Sequence, residues 1–220
     1  MMRWQRRASG MLGALLCMAS VHAQQQHRPP ASAASAPEPV SALDPVKVNA
    51  IGLRIDTRAS YAEFSVRLFW LRHIGGRFSK VLGRGKLLPG HRNQAPQVRV
   101  EAWVQVQSVQ LDWQRMRKQL LSADFFDALQ YPYMHFVSSP LALDKLRTGG
   151  SVEGALTIRG VTRHVRFRLL PTQCPDPGQK ACAVSVRGQI RRSRYGMTAH
   201  RTLLSDHVQL VLHIRLDALS

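Results

Sequence analysis

The sequence predicts an all-β domain: about eight antiparallel strands, closed as a barrel or stacked as a sandwich, with one short helical insert. Three observations predict it. Runs of strict apolar/polar alternation recur from residue 60 to the C-terminus. Short turn-rich segments separate them. One stretch, residues 111–130, breaks the period of two and carries apolar residues at helical spacing.

In chain order, the first 23 residues read as a Sec-type signal peptide. Arg3, Arg6 and Arg7 form its basic start, Met11 to Ala19 its apolar core, and Val21-His22-Ala23 its cleavage site. Leu16 stands before Cys17 where a lipid-attachment signal wants a small residue, which argues against a lipoprotein. Residues 24–46, rich in Gln, Pro, Ala and Ser, hold too few large apolar groups to offset ordering entropy and read as a flexible linker. The β-domain is expected from Lys47 to Ser220.

Within it, "SYAEFSVRL" sets Ala62, Phe64, Val66 and Leu68 on one face. "QVRVEAWVQVQ" does the same with Val98, Val100, Ala102, Val104 and Val106. Later runs align Val152, Gly154, Leu156 and Ile158; Val165, Phe167 and Leu169; Val184, Val186, Gly188 and Ile190; and Val208, Leu210, Leu212, Ile214 and Leu216. The glycines of "KVLGRGK" lack phosphate-loop spacing, so Gly83 and Gly85 read as a strand bend or bulge. Trp113, Met116, Leu120 and Ala123 outline the helical face, and Ser122 or Asp124 could cap a second short turn holding Phe125 and Phe126. Tyr131-Pro132 ends it. On a barrel such an insert covers one end.

Composition narrows the function. The chain carries a formal charge of +18, and +15 once the three signal arginines are gone. That field suits anionic lipid headgroups, or is simply a solvated basic surface. Nucleic acid is disfavoured in an exported chain without a recognisable binding motif. Cys174 and Cys182 bracket a turn-rich segment and, in an oxidising compartment, read as a disulfide. Nine histidines form no metal motif, carboxylates are sparse, and no nucleophile motif occurs. No catalytic residue and no metal ligand is assigned, and the chain is not expected to be an enzyme.

Five blocks together resemble one family. They are "GGRF" at 75–78 with Gly83, "SADFFDALQYPYMHF" at 122–136, "GALTIRGVTRHV" at 154–165, "IRRSRYGM" at 190–197 and "SDHVQLVL" at 205–212. In this order and spacing they resemble the YceI-like polyisoprenoid-binding proteins, over roughly residues 50–218. The resemblance implies an extended eight-stranded lipocalin-like barrel in the periplasm or outside the cell. Its hydrophobic tunnel would hold a long isoprenoid or an isoprenoid quinone, with no other cofactor, and pairing into a homodimer is common among such proteins. The chain departs from the family pattern at Leu68, Arg117 and Gln119, where relatives carry other polar groups.

Joined to the alternation, the resemblance nominates as lipid-binding Phe64, Val66, Leu68, Val100, Ala102, Val104, Phe126, Phe136, Leu156, Ile158, Val165, Phe167, Ile190, Leu210 and Leu212. The expected mechanism is partition of a long prenyl chain into a dry bore. The rival reading is an interaction protein whose barrel is filled and whose basic face binds a partner or a membrane.

Overall fold

A computed structural model describes residues 52–69, 72–90, 95–172 and 182–218. The expectations for residues 1–46 lie outside this range. The strands are β1 (Gly52–Ile55), β2 (Tyr61–Leu68), β3 (Arg72–Phe78), β4 (Val81–Leu88), β5 (Gln97–Gln105), β6 (Val109–Gln110), β7 (Tyr133–Ser138), β8 (Leu141–Ala142), β9 (Gly150–Ile158), β10 (Val161–Leu169), β11 (Cys182–Arg191) and β12 (Leu204–Ala218). Two helices interrupt them, α1 (Gln114–Leu121) and α2 (Lys145–Thr148).

The pairing resolves these pieces into eight antiparallel staves that close on themselves. β12 pairs with β1 near its C-terminal end and with β2 further back, so β1 and β2 are one broken stave. β3 pairs with β2, and β4 with β1, giving a second broken stave. β5 and β6 form a third, along β4 and β3 respectively. β7, β9, β10, β11 and β12 complete the ring. Of the two architectures that alternation allowed, the chain adopts the barrel. Closure removes the exposed edges that a sandwich would have to protect.

Serine hydroxyls serve the backbone where the ladder breaks. The Ser60 hydroxyl, buried at the kink between β1 and β2, accepts the Arg215 N–H at 2.9 Å. Ser138 accepts the Val100 N–H at 2.8 Å. A buried N–H left alone at either place would cost a hydrogen bond's worth of stability. The tight turn from β9 to β10 uses Arg159 and Gly160, both at positive φ (52° and 71°), which matches the twist of the two strands.

Two local expectations need correction. Gly83 and Gly85 make no bulge, since β4 pairs with β5 in unbroken register from Val81 to Leu88. At Gly83 the reason for glycine is close approach: a Cβ there would collide with the Glu101 carbonyl oxygen and the Ile55 side chain. The insert is also shorter than its apolar spacing suggested. α1 stops at Leu121 with Ser122 as its C-cap, and both Trp113 and Ala123 are exposed. Beyond the cap the chain makes a series of turns in which Ser122 O accepts the N–H of Phe125 and of Asp127. α1 is held instead by Arg117, whose guanidinium donates to the Gln107 and Val109 carbonyls at 2.9 and 3.0 Å.

The interior is uneven along the barrel axis. At the end containing β1, β4 and α2, Leu53, Ile55, Val81, Val98, Leu146, Val152, Leu169 and Leu216 meet in a solid core. Toward the end carrying the insert and the 192–204 segment, the inward side chains form a second cluster and leave a space between them.

Candidate functional site

The space they leave is a cavity of about 110 Å³. By that measure one water needs ~10–15 Å³, so several would fit if the walls could bind them. The walls cannot, because the accessible lining is almost wholly apolar. Strand alternation explains this. Phe64 and Phe136 point inward, while their neighbours Glu63 and His135 turn outward to Arg77 and Glu101, at 2.8 and 3.0 Å. His135 also stacks on Trp103. Glu63 and His135 are thus occupied on the other face of the wall.

Three phenyl rings could have crossed the bore and closed it. Glycines on the neighbouring staves leave room for them against the wall. A Cβ at Gly76 would lie 2.8 Å from the Phe64 ring. A Cβ at Gly154 would strike Phe136, and one at Gly188 would strike Phe167. Each ring therefore lies back against a bare stretch of wall, an arrangement in which an aromatic covers a strand glycine. β12 lines the cavity from Leu204 to Leu212, roughly 25 Å of strand at ~3.3 Å per residue.

The insert supplies part of the wall at the hollow end. Leu120, Phe125 and Phe126 all reach the cavity wall. Phe126 meets Phe78 edge-on with centroids 5.6 Å apart, and Phe125 stacks on His200 at 6.1 Å. The adjacent rings serve two partners on two sides, which is why neither is wasted on solvent.

The 192–206 segment at the same end is organised by Arg192, only 4% exposed. Its guanidinium donates to the carbonyls of Met197, Ala199, Ser205 and Leu204, at 2.7 to 3.1 Å. Burial pulls its pKa below the ordinary arginine value, and Asp206 pulls it partly back. Burial would raise Asp206. The Ser193 N–H and hydroxyl, both at 2.9 Å, with the charges of Arg192 and His207, more than reverse that and hold the carboxyl below its usual value. Burial likewise pushes the neighbouring Tyr195 phenol up.

Of the residues nominated from sequence, Phe64, Val66, Ala102, Val104, Phe126, Phe136, Leu156, Ile158, Phe167, Ile190, Leu210 and Leu212 line the cavity. Three do not. Val100 faces inward but below the hollow, packed on the solid core. Val165 is buried against the cluster containing Tyr195 and Met197. Leu68 lies at the end of β2, opposite Leu204, where β12 slips register before Val208. Leu204 reaches the cavity instead, so the family departure at Leu68 lies off the wall. Arg117 and Gln119 also stay off the wall: Arg117 ties down α1, and the Gln119 amide contacts His200 at 2.6 Å. The nominations left out Ala62, Phe78, Leu120, Phe125, Met134, Met197, Leu204 and Val208, which also line the cavity. Alternation in "YMHF" could have found Met134, whereas Met197 reaches the wall from an irregular loop that has no period. Cys182 is buried in the solid core; Cys174 lies outside the described residues.

A family model described as the YceI-like domain matches residues 53–216. The chain belongs to the YceI-like family. A UPF0312 protein of Shewanella denitrificans is 30% identical over 130 residues, 58% of this chain and 66% of that protein, just under two thirds of its length. Among solved structures, Burkholderia cenocepacia BcnA superposes with a TM-score of 0.59 at 22% identity, covering 73% of this chain and 98% of BcnA. A polyisoprenoid binding domain from Saccharophagus degradans, implicated in plant cell wall breakdown, gives 0.56 at 12% identity, covering 77% and 99%. At these identities the structural matches establish the fold, and they agree with the eight-stranded closed barrel of this YceI-like domain.

Proposed function

We propose that this protein is a non-catalytic carrier that binds a long-chain isoprenoid, or an amphiphile with such a tail, in the hollow half of its barrel. The observation that carries the reading is the apolar cavity whose wall glycines leave room for the phenyl rings to lie aside. Each CH₂ moved from water into it contributes about 0.8 kcal/mol, so a tail of several isoprene units gains most from threading the bore. The solid core at the other end sets how far the tail can go, leaving its headgroup at the insert end. A related fold from another organism is described as a polyisoprenoid binding domain, which supports the ligand class. The hollow also favours a carrier over an interaction protein with a filled barrel.

The N-terminal sequence supports export, with the mature chain beginning at Gln24 in the periplasm or outside the cell and Cys174 joined to Cys182. Native mass spectrometry of protein recovered from its own exported fraction tests the reading. The expected spectrum shows an added apolar mass of several hundred daltons. A clean apo mass, with no uptake of added prenyl quinone, sinks it. The same spectrum reports where the chain begins and whether the cysteines are joined.

A further inference from the structure

A tail this apolar cannot reach the cavity through water, so the protein must meet the ligand where it dissolves. The distribution of exposed apolar side chains shows where. Among the described residues the large exposed ones are Phe69, Trp113, Leu129 and Leu203. All four sit on segments that also supply cavity wall or stand next to it: the end of β2, the insert, and the loop leading to Leu204. The described residues of the filled end include none.

Two of them form one feature. The Phe69 N–H donates to the Leu203 carbonyl at 3.0 Å, so the turn after β2 and the loop before β12 stand side by side. Phe69 is 57% exposed and holds φ at 49°, a left-handed conformation costly for a bulky residue. Leu203 is 38% exposed. Arg67 and Arg201 share a depression with Leu203, and Arg72 follows Phe69 by three residues; all three are exposed and in no ion pair with a described carboxylate. The carboxylate of that depression, Asp206, already accepts two bonds from Ser193. An apolar tip beside unpaired cations matches an anionic bilayer, whose acyl boundary takes the ring and whose headgroups take the arginines. A second protein chain is a poorer occupant, because two side chains bury far less than the ~800 Å² per partner of a stable interface.

We propose that Phe69 and Leu203, with Arg67, Arg72 and Arg201, are the tip by which the open end of the barrel docks on an anionic lipid bilayer. The docking rests on these surface residues. Its purpose, delivery of a tail to the cavity, rests on the function proposed above.

The test is co-sedimentation of the mature protein with vesicles of equal parts phosphatidylglycerol and phosphatidylcholine, against phosphatidylcholine alone. The wild type should bind the mixed vesicles at least tenfold more tightly, and added salt should weaken that binding. Phe69→Asn with Leu203→Ser should lose at least tenfold at an unchanged melting temperature, since asparagine accepts the left-handed backbone. Arg67→Ser with Arg201→Ser should weaken binding and flatten its salt dependence. No wild-type binding, or binding that the Phe69→Asn, Leu203→Ser variant keeps in full, overturns the proposal. So does a variant whose only change is lost self-association in sedimentation velocity. Prenyl quinone uptake from detergent, without vesicles, is measured in parallel: the double variant should match the wild type. If neither takes up quinone, the carrier reading fails while vesicle binding still decides the docking.

Discussion

Arg192 and Asp206 show how single residues hold the open end in shape. The guanidinium supplies four carbonyls that an irregular loop would otherwise leave without donors beside an apolar cavity. Asp206 fixes the start of that loop through Ser193. Because its folded pKa lies below the unfolded value, its contribution is fully present above the unfolded pKa and is lost as pH falls through the folded one. Asp206→Asn should cost on the order of 1 kcal/mol at pH 7, allowing for its partial exposure. Urea titrations of both proteins down to pH 3 should show the gap closing as the carboxyl protonates. A gap that stays constant over that range would refute the role given to Asp206. The ion pairs on the outer wall, such as Glu63 with Arg77 and Glu153 with Arg166, are solvent-exposed and add little.

At the scale of elements, each stave has one packed part and one hollow part. β5 makes the point: Val98 is fully buried in the solid core, while Ala102 and Val104 face the cavity. β12 runs from cavity wall at Leu212 to solid core at Ile214. Two substitutions should therefore separate stability from binding. Leu53→Ala should cost about 3–5 kcal/mol by opening a void in the packed end and leave prenyl quinone uptake in the folded protein unchanged. Ala102→Trp should abolish uptake at a cost under about 3 kcal/mol, because its ring has empty space to enter. Denaturation curves and quinone titrations read both, and uptake retained by folded Ala102→Trp would show that the ligand lies elsewhere. Gly154 is a poor choice for the same experiment. A side chain there strikes the Val137 carbonyl oxygen as well as Phe136, so lost uptake could not be told from lost fold.

The described domain is a barrel, packed solid in one half and hollow in the other. An empty apolar cavity forfeits dispersion contacts that a ligand restores, so occupancy and stability are linked. At free ligand one hundred times Kd the gain is about 2.7 kcal/mol. For a domain of this size that is roughly 5–10 °C in Tm. Thermal melts with and without a prenyl quinone check it, with the detergent vehicle alone as control. A midpoint that moves equally with vehicle would remove the evidence for a specific site. The basic charge acts at this scale too, through a field that concentrates the protein near anionic surfaces before any particular residue makes contact.

By itself the sequence determined six of the eight staves, their inward faces and the position of the insert, because alternation and helical spacing are local properties of the chain. It also carried the family, through five separated blocks that no single element explains. Only the tertiary structure decided which inward faces meet and which stand apart. Val98 and Val104 are the same residue on the same face of one strand. Leu53 and Leu146, brought in from distant segments, pack the end where Val98 lies. Near Val104, glycines on neighbouring staves let the rings lie back and leave the centre open. Whether an interior is filled depends on side chains far apart in sequence, and no local pattern records that sum.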